Sequence, residues 1–227
     1  MMKYSLLILV AILFMSNSYA QSSNIENIKI EKEILSNAKK WGDVSVSIKS
    51  FYALIVLEGE NSTYKDSLAY SYFSSRNYGP CFMLTTEVLK RDPEHIDMME
   101  MNAISLESLG ALEKAAEVYV KLLNLSNNNY HAYTVASLNY RMKKYDEAYT
   151  AIKKTETMND EGKFKVTFSI NQSHTQQIEL FAAIQYLKGL IEIELKNMDA
   201  AKISFAKAIK IQPDFVLAKD NLESLEK

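Results

Sequence analysis

Residues 200–215 read "AAKISFAKAIKIQPDF". Ala201 and Ala208 stand two helical turns apart, Phe205 lies between them, and Pro213 closes the run. At 3.6 residues per turn these three positions share one helix face. Small side chains on that face let another helix approach closely, and the phenylalanine ring fills the space between them. Proline has no N–H and clashes with the preceding turn, so the helix must stop and the chain must reverse. A face of this kind cannot be left in water and demands a neighbouring helix.

The same spacing recurs upstream. Ala201, Phe205, Ala208 and Pro213 fall opposite Cys81, Thr85, Val88 and Pro93, and Gly189 falls opposite Ala69. A step of 34 residues carries Ala69 to Ala103, Tyr72 to Leu106, Cys81 to Ala115 and Thr85 to Tyr119. The next step, one residue shorter, reaches Ala136, Ala148 and Ile152. A step backwards reaches Leu35, a turn at Gly42-Asp43, and Phe51. A fixed period of this length with helical spacing inside it marks stacked helix pairs.

The pattern resembles the tetratricopeptide repeat, a helix pair of about 34 residues. The units are 28–61, 62–95, 96–128, 129–162 and 182–215, the last matching best. Unit 62–95 departs from the family at Thr85 and Val88, and unit 96–128 has no closing proline. Unit 129–162 keeps Ala136 and "KKYDEA" (143–148), while unit 28–61 matches mainly by phase. The resemblance implies an all-α fold, a right-handed superhelix of antiparallel helix pairs forming a single domain over 21–227. Residues 214–227, "DFVLAKDNLESLEK", read as its capping helix, with Asp214 as N-cap and Phe215, Leu217, Ala218, Leu222 and Leu225 as one apolar stripe.

One stretch breaks the period. Phe164, Val166, Phe168 and Ile170 alternate with Lys163, Lys165, Thr167 and Ser169, the period of a strand. Asn171 to His174 has turn composition, and Ile178 and Leu180 fit a return strand. This predicts a β-hairpin inserted at about 163–180. A lone hairpin is marginal in water, so its apolar face must cover either its own helices or another chain.

Composition narrows the function. A formal net charge of −2 gives no field for capturing nucleic acid. Six glycines and three prolines among 227 residues favour helix throughout. Lys3, the apolar run Leu6–Met15 and the small residues Ser18 and Ala20 read as a secretory signal peptide over 1–20. Cleavage there would leave no membrane span and place the chain in the periplasm or outside the cell. Cys81 is the single cysteine, so no internal disulfide can form, and its small-residue position predicts a buried, inert thiol.

No nucleophile elbow, phosphate-binding loop or paired metal-ligand motif is present. His95, His131 and His174 are far apart and read as surface residues. Asn159 to Gly162 lacks the oxygen spacing of a calcium loop. A non-enzymatic role is expected, with no cofactor and no metal, and with a protein or peptide as partner.

The resemblance also implies which residues face the groove, because the first helix of each pair lines the family's concave surface. Carried over by position, it implies Asp66, Tyr70 and Phe73, then Glu100 with Ile104, Glu107 and Ser108. Tyr130, Tyr133, Ser137, Tyr140 and Arg141 follow, then Tyr186. Partner contacts are expected above all from Asp66, Tyr70, Phe73, Glu100, Tyr133, Tyr140 and Tyr186. Tyrosines at such positions either line the groove or fill space between helices. Asp66, Tyr70, Glu100 and Ile104 occupy the places where the family's carboxylate-clamp members carry Lys, Asn and Arg, so a C-terminal carboxylate ligand is disfavoured. The groove is expected to be aromatic and acidic. The alternative is a structural subunit engaging through the hairpin and the outer helix faces.

Overall fold

The computed structural model describes residues 23–158 and 164–227. The signal-peptide reading, the acidic turn at 159–162 and Lys163 lie outside the described residues. Within them the helices are α1 (23–41), α2 (Val44–Glu58), α3 (Tyr64–Ser74), α4 (Tyr78–Arg91), α5 (Ile96–Ser108) and α6 (Leu112–Ser126). There follow α7 (Asn129–Arg141), α8 (Tyr145–Thr155), strands β1 (Lys165–Ser169) and β2 (Thr175–Glu179), then α9 (Leu180–Glu194), α10 (Met198–Ile211) and α11 (Val216–Glu226). The fold is all-α with tetratricopeptide-like helix pairs, one pair for each predicted unit, and a two-stranded sheet between the fourth and fifth. Contacts gather the chain into two compact units, one ending at Met101 and one starting at Asn102.

The turn inside each pair repeats one backbone device. Gly42, Arg76, Gly110, Lys143 and Lys196 all have positive φ, between 57° and 80°. The next N–H reaches back five residues in every case: Asp43 to Ala38, Asn77 to Tyr72, Ala111 to Leu106, Lys144 to Asn139 and Asn197 to Glu192. This is the Schellman closure of a helix, and it satisfies the last carbonyls before the chain reverses. Only two of the five are glycines, so three turns hold a side chain in the left-handed region at a steric cost.

The small positions are buried where the period puts them. Ala69, Ala103 and Ala136 on first helices, and Cys81, Ala115, Ala148 and Ala201 on second helices, are fully buried. In the first unit Leu35, Phe51, Leu54 and Leu68 form one core cluster, and Ala69, Cys81, Val88, Met98 and Met101 another. In the second unit the pairing of small with bulky is tightest at Gly189. A methyl group there would lie 2.6 Å from the Phe205 ring, so only a glycine lets α9 and α10 meet over that ring.

The hairpin forms as the alternation predicts, with Val166 opposite Ile178 and Phe168 opposite Gln176 in an antiparallel register. Leu180 is the exception, since it opens α9 and is buried there. The apolar face covers the chain's own helices. Phe168 packs against Tyr186 and Phe215 at 5.4 and 5.3 Å between ring centres, and Phe164 stacks on Tyr130 at 5.1 Å. Gln176 also replaces the expected cap of α11. The Val216 N–H donates to its Oε1 at 3.2 Å, and its Nε2 donates to the Asp214 carbonyl at 2.7 Å. Phe215, not Asp214, sits at the N-cap position.

Candidate ligand groove

In the second unit, α5 and α7 are the first helices of consecutive pairs. Residues spaced three and four apart fall on one helix face. That face carries Ile104, Glu107 and Ser108 on α5, and Tyr130, Tyr133, Thr134, Ser137 and Arg141 on α7. Together with Tyr119 and with Val166, Thr167 and Phe168 of β1 they line a cavity of about 650 Å³, within the size range of ligand sites. Seven of the groove positions implied by the repeat phase meet here. Tyr119, Thr134 and the three β1 residues were not legible from that phase, because they reach the cavity only through tertiary packing.

The lining is aromatic and hydroxyl-rich. Tyr133 is buried, and burial, with Tyr130 and Tyr186 nearby, pushes its phenol well above the ordinary tyrosine range. It therefore stays a neutral hydrogen-bonding group. Within this cavity the one carboxylate, Glu107, is ion-paired with Arg141 across the two helices. The paired charges leave an electrically balanced groove with both signs at one end.

Tyr140 and Tyr186 are placed elsewhere in this unit. Tyr140 packs on Tyr145 at 5.8 Å, and burial followed by the Glu194 charge raises its phenol. Tyr186 belongs to an aromatic cluster with Phe168, Phe205 and Phe215, at 5.4, 5.7 and 4.9 Å. It fills space between helices.

The first unit holds the remaining expected residues. Both Asp66 oxygens accept from Arg91 Nη2, at 2.8 and 3.0 Å, so this carboxylate too is compensated. Tyr70 is 64% exposed. Phe73 packs edge-on against Tyr78 and against the Ala69–Cys81 cluster. Glu100 is half-buried on α5.

His131 is not a surface residue, being 2% exposed. Its Nδ1 lies 2.8 Å from Ser126 Oγ, while that hydroxyl donates to the Leu122 carbonyl at 2.7 Å. This contact ties the end of α6 to the start of α7. Among the described residues no group of three His, Cys, Asp or Glu side chains could hold a metal ion. No helix among them is long and apolar enough to cross a membrane.

Comparison with known proteins agrees with the repeat fold. Residues 182–215 match the tetratricopeptide repeat model, and the fold is that of tetratricopeptide-repeat structures. YrrB, described as a TPR protein with an unusual peptide-binding site, superposes with a TM-score of 0.67 at 17% identity, over 91% of this chain and 97% of that one. A MamA structure gives 0.64 at 15% identity, over 83% and 93%. MamA from Desulfovibrio magneticus RS-1 gives 0.60 at 10%, over 84% and 97%. At these identities the likeness is one of fold. No curated protein sequence matches.

Proposed function

We propose that the protein is a non-enzymatic scaffold of the cell envelope that holds a protein segment or peptide in the α5–α7 groove. The observation that carries this reading is the cavity itself: a balanced, tyrosine- and hydroxyl-lined recess on the first helices of two successive repeats. Tyrosine offers a large apolar contact with a hydrogen-bonding tip and loses little entropy on binding. One fold neighbour, YrrB, is described by its peptide-binding site, which supports the same reading. Export rests on the leader-like segment at 1–20, and N-terminal sequencing of chain from the envelope fraction tests it, with Gln21 as the expected first residue.

The groove is tested by filling it. Ser137, half-buried on its wall, is replaced by Trp, and binding to an array of end-blocked nonapeptides is compared with wild type. Lost binding with an unchanged helical spectrum supports the groove; undiminished binding rejects it. A second reading, assembly through outer helix faces, draws on the first repeat pair. There Val56 is 80% exposed and Trp41 74%. Trp41→Glu and Val56→Glu would break such an assembly while leaving peptide binding intact.

A further inference from the structure

We propose that the outer edge of β1 takes up an extended polypeptide segment as a third strand, lying along the α5–α7 groove. The inference rests on the groove reading and names the conformation and chemistry of what the groove holds. Hydrogen bonds from Ile170 to His174 and from Leu180 to Phe164, with the Val166–Ile178 and Phe168–Gln176 register, fix the hydrogen-bonding parity of the hairpin. Even-numbered residues of β1 bond to β2. The N–H and C=O groups of Lys165, Thr167 and Ser169 therefore point away from it.

The two edges of the hairpin are treated differently. On the β2 edge, Gln212 supplies a side-chain amide in place of a strand. Its Oε1 accepts from Glu179 N–H at 2.9 Å and its Nε2 donates to the Gln177 carbonyl at 3.2 Å. On the β1 edge, no hydrogen bond to Lys165, Thr167 or Ser169 is made among the described residues. The cavity meets this open edge. Successive strand residues point to opposite faces, so a space touched by Val166, Thr167 and Phe168 in turn runs beside the strand and not over one face. At about 3.3 Å per residue, the five residues of β1 offer an edge roughly 13 Å long. Main-chain donors and acceptors at strand spacing are met by another strand, the mode of β-augmentation.

The groove states the side-chain chemistry. Occupant residues on the Val166 and Phe168 side of the new strand would face Tyr130, Tyr133 and Ser137. Glu107 and Arg141 already neutralise each other, so a charged residue there would be desolvated without a free partner. The occupant is an extended segment of another protein with uncharged apolar or aromatic residues at alternate positions.

The probe is a set of end-blocked nonapeptides with Val, Leu, Phe or Tyr at even positions and Ser, Thr or Lys at odd ones. Thr167→Pro removes an outward N–H that the hairpin ladder does not use, and Thr167→Val retains it. Loss of one backbone hydrogen bond predicts an affinity about tenfold lower for Thr167→Pro than for Thr167→Val, the two variants having lost the same hydroxyl. Amide exchange at Lys165, Thr167 and Ser169 should slow when peptide is added. N-methylation of alternate peptide nitrogens should abolish binding to the wild-type chain, which keeps the test intact should the proline variant misfold. Binding lost in Ser137→Trp but indifferent to N-methylation and to Thr167→Pro would overturn the strand while sparing the groove. No binding by any peptide of the set would overturn both.

Discussion

Replacing Gly189 with alanine adds one methyl group at the tightest contact between α9 and α10. The new Cβ would sit 2.6, 2.8 and 2.9 Å from Cε1, Cδ1 and Cζ of Phe205. The ring has little room to yield, because it is fully buried and lies 5.7 Å from the Tyr186 ring. Two effects oppose each other. Alanine in a helix interior is favoured over glycine by about 1 kcal/mol. Overpacking of a filled core costs roughly 1–3 kcal/mol, and a contact under 3 Å with a trapped ring belongs at the upper end. The net expectation is a destabilisation of about 1–2 kcal/mol, or roughly 2–8 °C in melting temperature for a chain of this size. Thermal and urea denaturation followed by circular dichroism measure it. Phe205→Leu in the same chain should recover part of the loss, because it removes the ring edge that the methyl strikes. A Gly189→Ala variant as stable as wild type, or more so, would show that helix propensity governs the position and that the repeat does not depend on close approach.

Further outcomes follow from the same contacts. Gly110→Ala, whose Cβ would meet no atom within 4 Å, should lose about 1 kcal/mol through its positive φ alone. Lys196→Gly relieves the same strain and should gain up to about 1 kcal/mol, both read from urea midpoints. Phe168→Ala should cost roughly 2 kcal/mol, less than for a fully buried ring, and Gln176→Ala should fray α11, seen as faster amide exchange at Val216. Burial alone would lower the Lys188 pKa, but the hydrogen bond and charge of Glu156, with Glu192 behind them, raise it above 10.5. A raised folded pKa means that the stabilisation is complete below the unfolded value and fades as pH climbs past it. Urea midpoints should therefore fall above about pH 10.5, and Lys188→Met should flatten that fall.

The repeat architecture was legible because its signal is redundant. Each pair has to satisfy the same close approach, so Ala69, Ala103 and Ala136 declare it even where Thr85 and Val88 depart from the family. The hairpin was legible from alternation alone, and only its end at Leu180 differed, since an apolar residue suits the start of a buried helix as well as a strand. The site was read less completely. Phase could place Tyr133, Ser137 and Arg141 on one wall, but it could not show that Arg141 reaches Glu107 or that Arg91 reaches Asp66. The first of these pairings balances the charge in the α5–α7 cavity, and the second compensates Asp66 in the first unit. Tyr186 followed the phase yet faces Phe168, Phe205 and Phe215, because the inserted hairpin brings a ring to it that the regular period does not contain. His131 was misread for a related reason. Its burial depends on Ser126, Tyr119 and Tyr130 closing over it, and no spacing rule reports that.

Gln176 and Gln212 have a mechanical consequence. In stacked helical modules each module is held by contacts with its immediate neighbours. Here two amide side chains stitch the hairpin to the start of α11 and the end of α10, so that the last module cannot peel away without also tearing a sheet strand. Under tension or slow melting, the carboxyl-terminal end should hold as a single block with the hairpin.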